Sequence, residues 1–150
     1  MPEHDDDLQR LVDIDDIKRL RARYTRGIDT KDWDLVGASL AEDARFATEG
    51  GANEGRDTIV AFMTRSLTPL QTVHHVHTPE IELTGPDTAS AVWAMNDYVE
   101  LQRDGASVFT LRGYGHYLED YERGADGWRI KSSTLTRLRV DVEGAFPGAS

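Results

Sequence analysis

The chain has no cysteine among its 150 residues. That absence excludes a disulfide framework, a thiolate zinc site, an iron–sulfur cluster and a cysteine nucleophile. No apolar run approaches the roughly 20 residues that cross a bilayer. The opening MPEHDDD is acidic and polar, so no signal peptide is expected. Positive charge is scarce: 17 Lys and Arg stand against 27 Asp and Glu, a net charge of −10. A nucleic-acid binder needs a cationic footprint, and so does a protein that docks on an anionic membrane. Both classes are set aside. Phosphate-cradling glycine motifs and the G-x-S-x-G nucleophile elbow are missing too. A cytoplasmic role directed at a small molecule or a protein is the expectation.

What is present suits one domain spanning residues 1–150, with a core of about 8–142. The chain is 39% apolar and 8% aromatic, enough to bury a core without staples. Acidity is concentrated: residues 1–16 carry seven acids and only Arg10 as a base. Residues 1–7 read as a loose start. A helix follows, from about Leu8 or Asp13 to Asp29, because Ile14, Ile17, Leu20, Tyr24 and Ile28 recur at three- and four-residue steps. Acids lead it and bases follow, matching the helix macrodipole. Asp32 is positioned to cap a short helix from Trp33 to Leu40. Residues 44–48 read as a strand, 49–55 as a turn or hairpin tip, and 56–67 as a third helix. After Pro69 come four strand-like runs, 73–83, 89–101, 107–121 and 127–142, separated by the turn sequences GPD, RDG and GADG. Helices followed by a strand meander describe an α+β domain, with helices packed on one face of an antiparallel sheet. The tail after Val142 reads as peripheral.

Chemistry concentrates in VHHVHTPEIE at 73–82. Alternate strand residues share a face, so His74 points one way and His75 and His77 the other. His75, His77 and Glu82 reproduce part of the H-x-H-x4-E metal motif of cupins. Its flanking glycines and its second histidine motif are absent, and three leading helices do not suit a jelly roll, so no metal is expected. The second signal is Tyr24 with Asp29. An acid at the C-terminal end of a helix opposes the dipole, which a solvent-facing position tolerates. Flanked by Ile28 and Trp33, Asp29 can instead lie at the core edge, where it needs a partner. A sheet histidine is one candidate.

The ordered pieces are Tyr24 and Asp29, Asp32 and Trp33, His74, then Gly115–Tyr117–Glu119, and Gly127–Trp128–Arg129–Ile130. Together they resemble the SnoaL-like branch of the nuclear transport factor 2-like superfamily over roughly residues 8–142. The resemblance implies a cone-shaped α+β barrel, in which three N-terminal helices pack inside a strongly curved, mostly antiparallel sheet around a deep apolar pocket. Similar members include scytalone dehydratase, bile-acid 7α-dehydratase and hexachlorocyclohexane dehydrochlorinase. In those, an aspartate of the first helix orients a proton-abstracting histidine of the first long strand. The matching positions are Asp29 and His74, with Tyr24 matching a tyrosine beside the pair. Phe46, Phe62, Trp93, Tyr98 and Tyr117 are expected pocket walls. Ser133 replaces an arginine that some relatives carry; Arg137 has the same strand parity and is the expected lining cation. Thr78 stands where relatives often have asparagine. The resemblance also implies a homodimer.

A neutral imidazole with a carboxylate on its other nitrogen is suited to accept a proton at neutral pH. A tyrosine hydroxyl can stabilise developing negative charge. The leading expectation is a cofactor-independent lyase or isomerase of dehydratase type, acting on a small, largely apolar, cyclic substrate. The alternatives are a non-catalytic ligand-binding or dimerisation module and a polyketide-cyclase-like aldol catalyst. His75, His77 and His116 receive no role in any of them.

Overall fold

The computed structural model describes residues 2–148. The first helix, α1, spans Pro2–Thr30. It therefore begins well before the expected Leu8, in the stretch read as loose. Asp5, Asp6 and Asp7 lie near its start, where negative charge complements the macrodipole. Met1, like Ala149 and Ser150 of the tail, falls outside the described residues. The buried stripe is Ile17, Leu20, Tyr24 and Ile28. Ile14 is only half-buried. The position one turn before Ile17 belongs instead to Asp13, which is 5% exposed. Its Oδ1 accepts from Arg123 Nη1 at 2.5 Å and Trp128 Nε1 at 3.3 Å, so this acid ties the helix to the sheet.

Helix α2 spans Trp33–Ala38, and Asp32 caps it by accepting from the Leu35 amide at 3.0 Å. It stops two residues short of the expected Leu40 because the chain turns into the sheet: the Ile130 amide donates to Ser39 O at 2.9 Å. Strand β1 accordingly begins early, at Leu40–Thr48. The stretch read as a hairpin tip contains a short edge strand, β2 (Gly51–Glu54), pairing back from Arg45↔Glu54 to Thr48↔Gly51. Gly51 takes φ 140°, a region open to glycine. Helix α3 spans Arg56–Leu67. Four long strands complete the chain: β3 (Gln71–Gly85), β4 (Thr88–Arg103), β5 (Ala106–Gly124) and β6 (Gly127–Gly144).

The strands form one sheet in the order β2-β1-β6-β5-β4-β3. All neighbours are antiparallel except β1 and β6, which run parallel. The sheet is open, with β2 and β3 as its edges. Pro79 fits in β3 because an edge strand tolerates a residue without an N–H, and the register shifts between Val76 and Pro79. The helices cover the inner face, where Ala89, Ala91, Trp93, Tyr121, Trp128 and Ile130 meet the α1 stripe.

Within this apolar layer lies a buried ion pair. Arg21 and Glu119 side chains are 2% and 0% exposed, with Nε and Oε2 3.2 Å apart. The approach lacks hydrogen-bond alignment, leaving Arg21 Nε without a hydrogen-bond partner. Arg21 Nη1 donates to Thr25 Oγ1 at 2.9 Å, and the guanidinium stacks on the Tyr117 and Tyr24 rings, 4.5 and 4.9 Å from their centroids. Burial draws Arg21 down, but the Glu119 carboxylate together with Tyr117, Tyr24 and Tyr121 outweighs it and holds the group above its ordinary value. Glu119 accepts from Ser133 Oγ at 2.9 Å and from the Tyr121 hydroxyl, which itself accepts from Trp93 Nε1 at 2.9 Å. Removing one partner of a buried pair strands the other charge, at a cost of about 3–5 kcal/mol. Glu119→Ala is therefore expected to lose about that much in urea unfolding, whereas Arg19→Ala, which breaks an exposed pair with Asp15, changes stability by less than about 1 kcal/mol.

Candidate active site

Asp29 is the penultimate residue of α1, and the helix ends in a defined way. Lys31 takes φ 61°, its amide donates to Ile28 O at 3.2 Å, and the Asp32 amide donates to Gly27 O at 2.8 Å. This is a Schellman stop. Its left-handed position is usually glycine, and a side chain there costs about 1–2 kcal/mol. The stop aims the last helical turn at β3. There the two Asp29 oxygens divide their partners. Oδ2 accepts from the His74 backbone amide at 2.8 Å; Oδ1 lies 2.7 Å from His74 Nδ1 and accepts from Thr72 Oγ1 at 3.0 Å. Lys31 Nζ donates to the same Thr72 oxygen at 2.9 Å. Burial works to raise the Asp29 pKa, but the His74 ring, the His74 amide and Thr72 together hold it below its ordinary value. A carboxylate at Nδ1 leaves Nε2 as the free ring nitrogen.

His74 lines a cavity of about 430 Å³ enclosed by α1, α3, β1, β2 and the inner face of the sheet. Ile28, Phe46, Ile59, Phe62, Met63, Leu67 and Leu135 supply apolar wall, while Tyr24, Tyr117 and Ser133 supply hydroxyls. Among the described residues no Lys, Arg, Asp or Glu lines it. The Tyr24 hydroxyl has Met63 Sδ at 3.8 Å as its bonded neighbour, a weak acceptor. Burial pushes Tyr117 up to about 12 and Tyr24 higher still, against the pull of Arg21, so both phenols are protonated donors at neutral pH. On its other side the pair borders an open groove of about 620 Å³, formed by Ala22, Thr25, Arg26 and Asp29 of α1 with 73–77 of β3.

Tyr24, Asp29 and His74 thus come together, and Phe46, Phe62 and Tyr117 line the same cavity. Two expected wall residues, Trp93 and Tyr98, and the expected lining cation, Arg137, do not. Trp93 faces inward, but its indole is spent on Tyr121 in the core beside Glu119. Tyr98 follows the inward Asp97 and therefore faces outward, with the Arg112 guanidinium 5.3 Å from its ring. Arg137 does face inward, as its parity requires. However, its Nη1 and Nη2 both donate to Asp97, at 2.7 and 2.8 Å, in space that a side chain at Gly113 would fill. Among the described residues no Lys or Arg lines the cavity. His75 is exposed, and His77 bonds Asn96 Oδ1 at 2.7 Å on the outer face. His116 pairs with Ala94 and Thr136 on that face as well. Among the described residues no group of three or more His, Asp or Glu side chains is gathered to hold a metal ion.

Sequence reasoning missed Thr72 and Lys31. Thr72 stands two before His74 on the same face of β3, a spacing that could have suggested a shared partner. Arg21 carries no signal in the sequence beyond its place among the bases of α1.

The model of a family described as "SnoaL-like domain" matches residues 9–134. A Gibberella zeae protein named "Probable cyclase FGR4" is 26% identical over 134 residues, covering 81% of this chain and 89% of that one. A hexachlorocyclohexane dehydrochlorinase (LinA) Type2 superposes with a TM-score of 0.81 at 19% identity, over 95% of this chain and 99% of the other. The Kfla4162 protein of Kribbella flavida gives 0.80 at 21% identity, over 88% and 95%. These two structures support a shared fold. No helix among the described residues is long and apolar enough to cross a membrane.

The lowered Asp29 pKa has a definite sign in stability. A carboxyl depressed by folding stabilises the native state fully above its unfolded value and loses that contribution as pH falls through the folded one. Urea unfolding of wild type and Asp29→Asn is expected to differ by a constant amount above about pH 5. Below the ordinary value of 3.8 the wild type should lose ground relative to the variant. A difference that ignores pH would mean that the carboxylate is not held by these bonds.

Proposed function

Since the chain belongs to the SnoaL-like domain family, we propose that it is a cofactor-independent lyase or isomerase of dehydratase type. The carrying observation is the 2.7 Å contact between Asp29 Oδ1 and His74 Nδ1 at the wall of a largely apolar cavity without charged lining. His74 Nε2 takes a proton from an acidic C–H of the bound substrate. The electron pair of that bond becomes a new C=C, and a β-substituent departs with its own bonding pair. Asp29 holds the tautomer with the proton on Nδ1 and stabilises the imidazolium as it forms. Tyr24 donates to the departing hydroxyl or to a carbonyl oxygen that gains negative charge. Returning the proton to another carbon of the same substrate gives isomerisation instead of elimination.

The cavity favours a neutral, small, ring-sized substrate. Burying a charge there would leave it unpaired, because Arg137 is already neutralised by Asp97 and Arg21 by Glu119. A second reading shares the same base: the enolate formed by His74 attacks a carbonyl within the same molecule, closing a ring by aldol addition. The relative named as a cyclase supports that variant. A homodimer is part of the proposal on the resemblance alone.

General-base catalysis contributes about 10²–10⁴-fold. His74→Ala is expected to lose that factor in turnover of whichever hydroxy-steroid, aromatic polyketide or halogenated-ring compound the wild type converts, while circular dichroism stays unchanged. Asp29→Asn should lose a large share of the same factor. Product analysis separates the readings, since elimination and isomerisation make no carbon–carbon bond and cyclisation makes one. Full activity in His74→Ala overturns both. Tight ligand binding without turnover of any compound would leave a binding module.

A further inference from the structure

Lys31 is conspicuous twice. It occupies the left-handed position of the Schellman stop, where glycine is the residue of least strain, at φ 61°. Its ammonium does not extend into solvent but turns back to Thr72 Oγ1 at 2.9 Å. Thr72 is 4% exposed and has a single hydroxyl proton, which it gives to Asp29 Oδ1 at 3.0 Å. The direction of the chain is thereby forced. An ammonium can only donate, so Thr72 accepts from Lys31 and must donate onward to the carboxylate. Burial pulls the Lys31 pKa below its ordinary value against the attraction of Asp29, as befits a cation drawn off the surface. Other charged or titratable groups are nearby: Arg26 on α1, His75 and His77 on β3, and Asp97 opposite His74 on β4. Among the described residues none of them makes a hydrogen bond or ion pair with Asp29.

We propose that Lys31 is a positioning residue for the Asp29–His74 pair. Acting through Thr72, it fixes the rotamer of the carboxylate and keeps it ionised. This inference rests on the reading of that pair as the acid–base centre. A carboxylate free to rotate would share Oδ1 between the imidazole and water; one pinned at Oδ1 by Thr72 and at Oδ2 by the His74 amide has one orientation left for Nδ1. The strained backbone at residue 31 then has a function that glycine could not serve, since glycine relieves the strain and removes the ammonium.

The test uses the substrate-free protein in four forms: wild type, Lys31→Gly, Lys31→Arg and Thr72→Val. Two NMR signals are followed, the pH titration of the Asp29 side-chain carboxyl carbon and the far-downfield proton of His74 Nδ1. Lys31→Gly is expected to be at least as stable as wild type in thermal unfolding. Its Asp29 carboxyl should nevertheless titrate at higher pH, and its downfield proton should broaden through faster exchange. Thr72→Val should do the same to both signals, and Lys31→Arg should restore them. A merely structural lysine would leave both signals in place in Lys31→Gly, and that result overturns the assignment whatever turnover does. Conversely, turnover that survives His74→Ala overturns the acid–base reading whatever the Asp29 titration does.

Discussion

The Arg21 guanidinium and the Glu119 carboxylate are both sealed from water, and neither could be buried alone. That requirement sets the axial position of α1 on the sheet, because Glu119 is the carboxylate that pairs with Arg21 among the described residues. It also orders the strands beneath: Ser133 of β6 and Tyr121 of β5 complete the carboxylate's hydrogen bonds, and Trp93 of β4 completes Tyr121's. One carboxylate therefore connects a helix to three strands. The guanidinium also supports Tyr24 and Tyr117 from behind, which are two of the hydroxyls presented to the cavity. The polar core and the site are parts of a single network.

A second, smaller network closes the helix onto β3. With the axial position set by Arg21, Asp29 sits two turns further along, at the height of Thr72 and the His74 amide. Its Oδ2–amide bond is to backbone, so the strand itself locates the carboxylate and the imidazole follows. A hydrogen bond to backbone survives side-chain motion, which is why a group only about one-fifth exposed at the sheet edge keeps a defined geometry.

Much of this was legible from period and parity. The α1 stripe, the Asp32 cap, the strand meander and the opposite facing of His74 against His75 and His77 follow from 3.6- and 2-residue repeats, which depend on local geometry. The errors lie where a tertiary partner decides. Asp13 is buried with bonds from Arg123 and Trp128, more than a hundred residues away, beside a local one from Gln9. Arg137 has the parity expected of it and still misses the cavity, because Gly113 leaves space in which Asp97 captures it. Tyr98 is misplaced by a single residue of strand phase. Lys31 was invisible because nothing in its side chain announces a left-handed backbone.

The parallel contact between β1 and β6 joins Leu40 to Ile130 and Phe46 to Ser133. The cavity wall is split accordingly, with Phe46 on one side of the chain's midpoint and Tyr117, Ser133 and Leu135 near its other end. Apart from the short β2, the only strand that β1 pairs with among the described residues is β6, so that edge of β1 stays unpaired until β6 is in place. Contacts this distant in sequence make a slow nucleus, since loop closure costs entropy before any pairing offsets it. A chain ending before β6 lacks the Ser133 and Leu135 part of the cavity wall. The cavity is complete only once β6 lies between β1 and β5.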